Sequence, residues 1–117
     1  MDFKVQHNFE ERLKESKRVL QKYPDRVPVI CERMNKKLPM IDKNKYLVPS
    51  DLTMGQYIYV IRKRLRMPSE KAIFLFVNGV IPPTSTPLIE LYEQYQDRDG
   101  FLYIHYGEEN VFGGGGT

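Results

Sequence analysis

The apolar positions of the chain switch repeatedly between a helical and a strand period, and each switch marks an element. Phe9, Leu13 and Leu20 recur at helical spacing, with Val19 beside them. Asn8 stands ahead of them as a cap, Glu11 three residues later completes a capping-box pattern, and Glu10 and Glu11 sit at the positive end of the helix dipole. Tyr23-Pro24-Asp25 ends this helix, and Phe3 to Gln6 before it reads as a further turn or small helix. Val27 to Met34 then alternates, with Val27, Val29 and Cys31 on one face and Pro28, Ile30 and Glu32 on the other. Apolar residues on both faces predict a strand covered on two sides.

The stretch from Asn35 to Asn44 is polar and basic apart from Leu38, Pro39, Met40 and Ile41, and Lys45 to Pro49 reads as a second strand. Thr53 with Gln56 repeats the capping-box spacing, and Arg62, Lys63, Arg64 and Arg66 load the negative end of the helix that follows, up to Pro68. Its spacing predicts an inward stripe of Met54, Ile58, Ile61 and Leu65, with Tyr57, Val60 and Arg64 on an adjacent side. Ala72 to Val77 is a continuous apolar strand, turned by Asn78-Gly79 into Val80-Ile81-Pro82-Pro83. Leu88 to Tyr95 predicts a short helical turn, and Phe101 to Tyr106 the last strand. The fold class is α+β, with one sheet packed on both sides.

Composition narrows the function classes. The 117 residues are one domain's worth, and 41% hydrophobic with 28% charged residues fits a soluble globular chain. No apolar run approaches the roughly 18 residues of a membrane span, and the N-terminus lacks the apolar stretch of a secretory signal, so a cytosolic or nuclear protein is expected. The single cysteine, Cys31, has no internal disulfide partner. Its place in the apolar VPVICERM stretch favours a small hydrophobe over a thiol nucleophile working with His7 or His105. No zinc spacing, phosphate loop or recognisable carboxylate pair is present, so neither enzyme activity nor a metal or cofactor is expected. The net charge of +3 suits an acidic partner without choosing among peptides, lipid headgroups and nucleic acid.

Five segments then carry a resemblance: KYPDRVPVI (22–30), KYLVPSDLT (45–53), IRKRL (61–65), FVNGVIPPTS (76–85) and FLYIHYGEE (101–109). In this order they are similar to the signature segments of the autophagy ubiquitin-like modifiers, the GABARAP-like family, over residues 3 to 113. The resemblance implies a ubiquitin-like β-grasp with an N-terminal helical extension at 1–25, the ubiquitin-like domain at 26–109 and a C-terminal tail at 110–117. It also implies a non-enzymatic modifier, trimmed by a cysteine protease after Gly113, which follows Phe112. Activating and conjugating enzymes would then join it to phosphatidylethanolamine. Glycine suits that role because it has no Cβ and leaves its carbonyl open to attack. A two-chain lipid would supply the membrane anchoring that the chain itself lacks, placing the protein in the cytoplasm and, after lipidation, on the autophagosome membrane. The VFGGGGT end departs from the family pattern, since Gly114, Gly115 and Gly116 offer neighbouring cleavage positions or a linker.

A second implied activity is docking of receptors that carry short acidic-aromatic motifs. Strand parity supports it independently: Lys45 and Leu47 point one way and Tyr46 and Val48 the other, so an added strand could meet two pockets. By resemblance, the aromatic pocket uses Glu15, Val19, Pro28, Ile30, Lys45, Leu47 and Phe101. The aliphatic pocket uses Tyr46, Val48, Pro49, Leu52, Tyr57 and Val60, and Arg26, Lys45 and Arg64 would meet the acidic residues of the motif. Without the family, Tyr57 and Val60 read as core, and the cluster from Arg62 to Arg66 as a solvated helix end. A ubiquitin-like adaptor that is never conjugated, and a small basic RNA- or microtubule-binding domain, remain alternatives.

Overall fold

The computed structural model of the protein describes residues 2–68 and 70–108. In chain order its elements are α1 (Phe3–Gln6), α2 (Phe9–Lys22), β1 (Arg26–Arg33), β2 (Lys45–Pro49), α3 (Met54–Leu65), β3 (Phe74–Phe76), α4 (Leu88–Tyr95) and β4 (Leu102–Gly107). The strands form one sheet in the order β2-β1-β4-β3 among the described residues. β1 and β4 pair in parallel at its centre, and β2 and β3 join them antiparallel on the outside. This is the ubiquitin-like β-grasp, with α1 and α2 added over the face that α3 and α4 leave open.

Both capping boxes form. Asn8 accepts from the Glu11 N–H at 2.9 Å while its own N–H donates to the Glu11 carboxylate at 2.9 Å. Thr53 and Gln56 exchange the same pair of bonds at 3.3 and 2.9 Å. Caps of this kind are worth about 1 kcal/mol each, enough to fix where α2 and α3 begin.

Pro28 stands in a central strand, where a missing N–H ordinarily breaks a ladder. The register explains why it is tolerated. Val29 opposes Tyr46 and Pro28 opposes Leu47, and Cys31 donates to the Asn44 carbonyl at 2.7 Å. Odd-numbered residues of β1 therefore make the hydrogen-bonded pairs with β2, and Pro28 falls in a pair that makes none. On its other side the parallel ladder to β4 starts one residue later, at Val29 opposite Leu102. By the same alternation the backbone groups of Lys45 and Leu47 point away from β1, to the open edge of the sheet.

The two faces differ in what covers them. Val27, Val29, Cys31, Tyr46, Val48, Leu102, Ile104 and Tyr106 pack against Met54, Tyr57 and Ile61 of α3 and Leu88 and Leu91 of α4, forming the main core. On the opposite face Ile30 and Phe101 pack with Phe3 of α1 and half-buried Tyr103. Polar ties complete that side. Asp99, fully buried, accepts from Arg12 at 2.8 Å, from the Tyr103 hydroxyl at 2.5 Å and from the Phe101 N–H at 2.9 Å. Gly100 follows with φ +89°, and Ser16 lies so close beneath it that a Cβ there would collide with the serine side chain.

Two sequence expectations need correction. The buried stripe of α3 is Met54, Tyr57 and Ile61, whereas Ile58 and Leu65 are only partly buried. Tyr57 belongs to it because its ring packs edge-on against Tyr46 across the β2–α3 interface, with centroids 5.7 Å apart. The second strand expected at Val80 to Pro83 does not form. Asn78 and Gly79, both with positive φ, make the tight turn, but only the Val77–Val80 bridge follows. Pro82 and Pro83 have no N–H to extend it. Leu88 to Tyr95, expected as a short helical turn, forms a helix over those eight residues, pinned at its start where Leu88 donates to the Leu52 carbonyl at 2.8 Å.

Candidate functional site

β2 is an edge strand, and α2 runs beside it over the sheet. Between them lies a groove of about 410 Å³ lined by Glu15, Arg18, Val19, Lys22 and Tyr23 from α2 and its end, Arg26 from β1, and Lys43, Lys45 and Leu47 along β2. Glu15, Arg18, Val19 and Lys22 reach it together because positions separated by three and four share one helix side. The groove therefore combines an apolar floor of Val19 and Leu47 with a cationic rim and an unpaired strand edge.

Its electrostatics centre on Glu15. The carboxylate accepts from Lys45 Nζ at 2.6 Å and from Arg18 at 3.0 and 3.1 Å. The Lys45 hydrogen bond is the main reason its pKa falls below the ordinary carboxylate range, and Arg18 adds to it. Arg26 lies across the same edge and donates to the Leu47 carbonyl at 3.2 Å. Lys22 and Lys43 reach the aromatic faces of Tyr23 and Tyr46, at 5.5 and 5.2 Å from the ring centres. One carboxylate among five cations leaves a strong excess of positive charge facing a strand-shaped opening.

The aromatic-pocket set is only partly gathered here. Glu15, Val19, Lys45 and Leu47 line the groove together with Arg26, and Pro28 sits on the same sheet face opposite Leu47. Ile30 and Phe101 are fully buried against Phe3 and form a layer beneath rather than a wall. Of the aliphatic-pocket set, Pro49 and Val60 are exposed and Leu52 half-buried. Tyr46, Val48 and Tyr57 belong to the main core on the other face of β2, and Tyr57 keeps only 1% of its surface exposed. Arg64 is drawn toward Asp42, 3.3 Å away. Phe112 and Gly113 lie outside the described residues.

Arg18, Lys22, Tyr23 and Lys43 were not among the residues singled out from the sequence. The first two were legible, since they fall three and seven positions after Glu15 on the same side of α2. Cys31, by contrast, is fully buried, and burial pushes its thiol up to about 12, which removes it from thiolate chemistry.

Comparison with known proteins decides the family. Residues 11–113 match the family described as "Autophagy protein Atg8 ubiquitin like". The chain belongs to the Atg8 family. Autophagy-related protein 8 of Pichia angusta is 59% identical over 112 residues, covering 95% of this chain and 90% of that protein. Its counterpart in Kluyveromyces marxianus is 56% identical over 115 residues, covering 97% of this chain and 93% of that protein. Among solved structures, Trypanosoma brucei ATG8 superposes with a TM-score of 0.87 at 41% identity, covering 97% of this chain and 98% of that one. Plasmodium falciparum Atg8, solved in complex with a P. falciparum Atg3 peptide, gives 0.87 at 35% identity over 94% of this chain and 98% of that one. An autophagy-related, ubiquitin-like protein is thus what the sequence, the fold and these relatives share.

Proposed function

We propose that this protein is a ubiquitin-like modifier of autophagy, processed by a cysteine protease after Gly113, conjugated to phosphatidylethanolamine, and used on autophagosomal membranes to recruit receptors bearing acidic-aromatic motifs. Before conjugation it resides in the cytoplasm. The observation that carries the docking half is the cationic groove beside the free edge of β2. The outward N–H and C=O groups of Lys45 and Leu47 suit an added peptide strand, and Lys22, Lys43, Lys45 and Arg26 suit its acidic residues. Glu15 now neutralises Lys45, so an incoming carboxylate competes with it or shares the ammonium. Pro49, Leu52 and Val60 offer apolar surface for a second side chain farther along the edge. Conjugation is supported by the glycine after Phe112 and by the solved P. falciparum relative, whose bound peptide comes from Atg3. Activating and conjugating enzymes are the expected partners on that route.

The test has two arms. Gly113→Ala should abolish lipidation in cells while leaving peptide binding intact, and lipidation continuing at the same position in that variant would sink the modifier reading. Leu47→Ala with Lys43→Glu should weaken a Trp-x-x-Leu peptide with acidic flanks at least about tenfold, roughly 1.4 kcal/mol. Those positions are chosen in place of Tyr46, whose burial beside Tyr57 would confuse lost binding with lost folding. Unchanged affinity by calorimetry would refute the groove.

A further inference from the structure

Several segments converge at one end of the sheet. β1 and β4 run parallel, so Arg33 and Tyr106 finish side by side, and β3 begins there with Phe74 opposite Gly107. The Met34 N–H donates to the Tyr106 carbonyl at 2.9 Å, and its side chain packs so near Gly107 that a Cβ there would meet the sulfur at 3.1 Å. The chain therefore leaves the sheet at Glu108 beside segment 34–44, which links β1 to β2.

That segment has a fixed shape. Arg33 donates to the carbonyls of Lys36 and Leu38 at 3.3 and 3.0 Å. The Tyr106 hydroxyl donates to the Pro39 carbonyl at 2.6 Å and accepts from the Ile41 N–H at 3.0 Å. Leu38 and Ile41 are plugged into the core, which turns Met40 outward, 60% exposed, and Met34 at the start of the segment is 38% exposed. Lys36 and Lys37 are exposed on the same loop. Residues 34–44 hold three lysines, Lys36, Lys37 and Lys43, and one acid, Asp42, which is already paired with Arg64. A single exposed methionine is unremarkable, but one raised on a rigid cationic tip beside the chain exit has a neighbour to meet.

Gly113 is five residues beyond Glu108, so even a fully extended chain places it at most roughly 17 Å away. We propose that this tip rests on an anionic bilayer surface once the chain is anchored, with Lys36 and Lys37 against the headgroups and Met40 at the boundary with the acyl chains. The inference rests on conjugation at Gly113, which brings the tip within reach. Lysines near an anionic leaflet attract it additively and lose that attraction as salt rises.

The chain ending at position 113 and carrying Gly113→Cys would be coupled to maleimide-phosphatidylethanolamine in nanodiscs of phosphatidylcholine, alone or with about 30% phosphatidylserine, a lipid composition rich in negative charge. Buried Cys31 does not compete for the coupling. Broadening of methionine methyl signals by a headgroup spin label then reads contact, with buried Met54 as the internal reference. Broadening at Met34 and Met40 should require phosphatidylserine, and Lys36→Glu with Lys37→Glu, or high salt, should reduce it at least about fivefold. Equal broadening without phosphatidylserine, none with it, or indifference to the double substitution would overturn the proposal. The coupling is chemical, so failure here counts against the tip, whereas failure of enzymatic conjugation counts against the modifier reading.

Discussion

On the α3 and α4 side of the sheet the packing is almost wholly apolar, a continuous cluster from Val27 to Tyr106. On the α1 and α2 side a small apolar patch of Phe3, Ile30 and Phe101 is supplemented by polar ties: ion pairs of Arg12 with Asp99, Lys4 with Asp97 at 2.6 Å and Lys45 with Glu15 at 2.6 Å, and a contact of His105 with Glu32 at 3.5 Å. The first arrangement stabilises through area removed from water, which is non-directional and hard to undo locally. The second depends on a few directional contacts, each breakable by itself. A face of that kind can hold two helices in place and still exchange one of its ion pairs for a ligand's carboxylate. The groove between α2 and β2 lies on that side.

Truncation in the apolar face should be the most damaging. Ile61→Ala, at a fully buried position of α3, is expected to lower stability by about 4 kcal/mol through lost transfer energy and a residual cavity. The loss should appear in chemical denaturation and in exchange of core amides alike. Next comes Asp99→Ala, at about 3 kcal/mol, because it strands the buried Arg12 guanidinium and removes the acceptor of the Tyr103 hydroxyl. Its effect should concentrate in hydrogen exchange of α1 and α2, with β1 and β4 changing less. If Ile61→Ala loosened only α3, or Asp99→Ala opened every element equally, the two faces would not differ as described.

Acid should separate the faces without mutation. Burial by itself would raise Glu32, but His105 and the Phe3 N–H, which donates at 2.7 Å, outweigh it and hold the carboxylate below its usual range. For Asp97 burial is likewise outweighed, by Lys4 and the Asp99 N–H, while Glu15 is lowered chiefly by Lys45. A folded pKa below the unfolded value contributes stability that is present above about pH 4 and is lost as pH falls through the depressed folded values. Among the described residues the one buried carboxylate is that of Asp99, which lies on the α1 and α2 side and not in the main core. Below about pH 4, amide exchange should therefore rise first in α1 and α2; a simultaneous rise in β1 and β4 would contradict this.

How much of this was readable from the chain follows from how local each cause is. Asn8 with Glu11 and Thr53 with Gln56 interact within a single helical turn, so both helix starts were legible. The two-sided burial of β1 was legible because period-two alternation needs no partner to be seen. Spacing along α3 puts Tyr57 on an adjacent side, whereas its place is decided by Tyr46 on another element. The Arg12–Asp99 tie joins positions 87 apart, and no local pattern announces it. The strand after Gly79 is stopped by Pro82 and Pro83, whose lack of N–H is visible in the sequence even though Val80 and Ile81 are apolar enough for a strand. In the groove, Lys45 and Leu47 followed from strand parity, whereas Lys43 required the β1–β2 connection to be placed.

The finest contrast is between tyrosine hydroxyls on the two sides. Tyr46 and Tyr57 are buried on the apolar face, and among the described residues neither hydroxyl has a hydrogen-bond partner. Burial raises both pKa values, that of Tyr46 to about 12, so both remain neutral well past physiological pH. Tyr103 on the opposite face donates to buried Asp99 at 2.5 Å. Tyr57→Phe should thus be neutral or stabilising by up to about 1 kcal/mol, since it removes an unsatisfied polar atom while keeping the ring that packs on Tyr46. Tyr103→Phe should destabilise by about 1.5 kcal/mol, because it takes a donor from a charged acceptor. Urea midpoints of the two single variants and of the double variant would read the signs separately, and the effects should add if the two faces are independent. Destabilisation by Tyr57→Phe would mean that its hydroxyl is satisfied after all and that the apolar face is wetter than its contacts suggest.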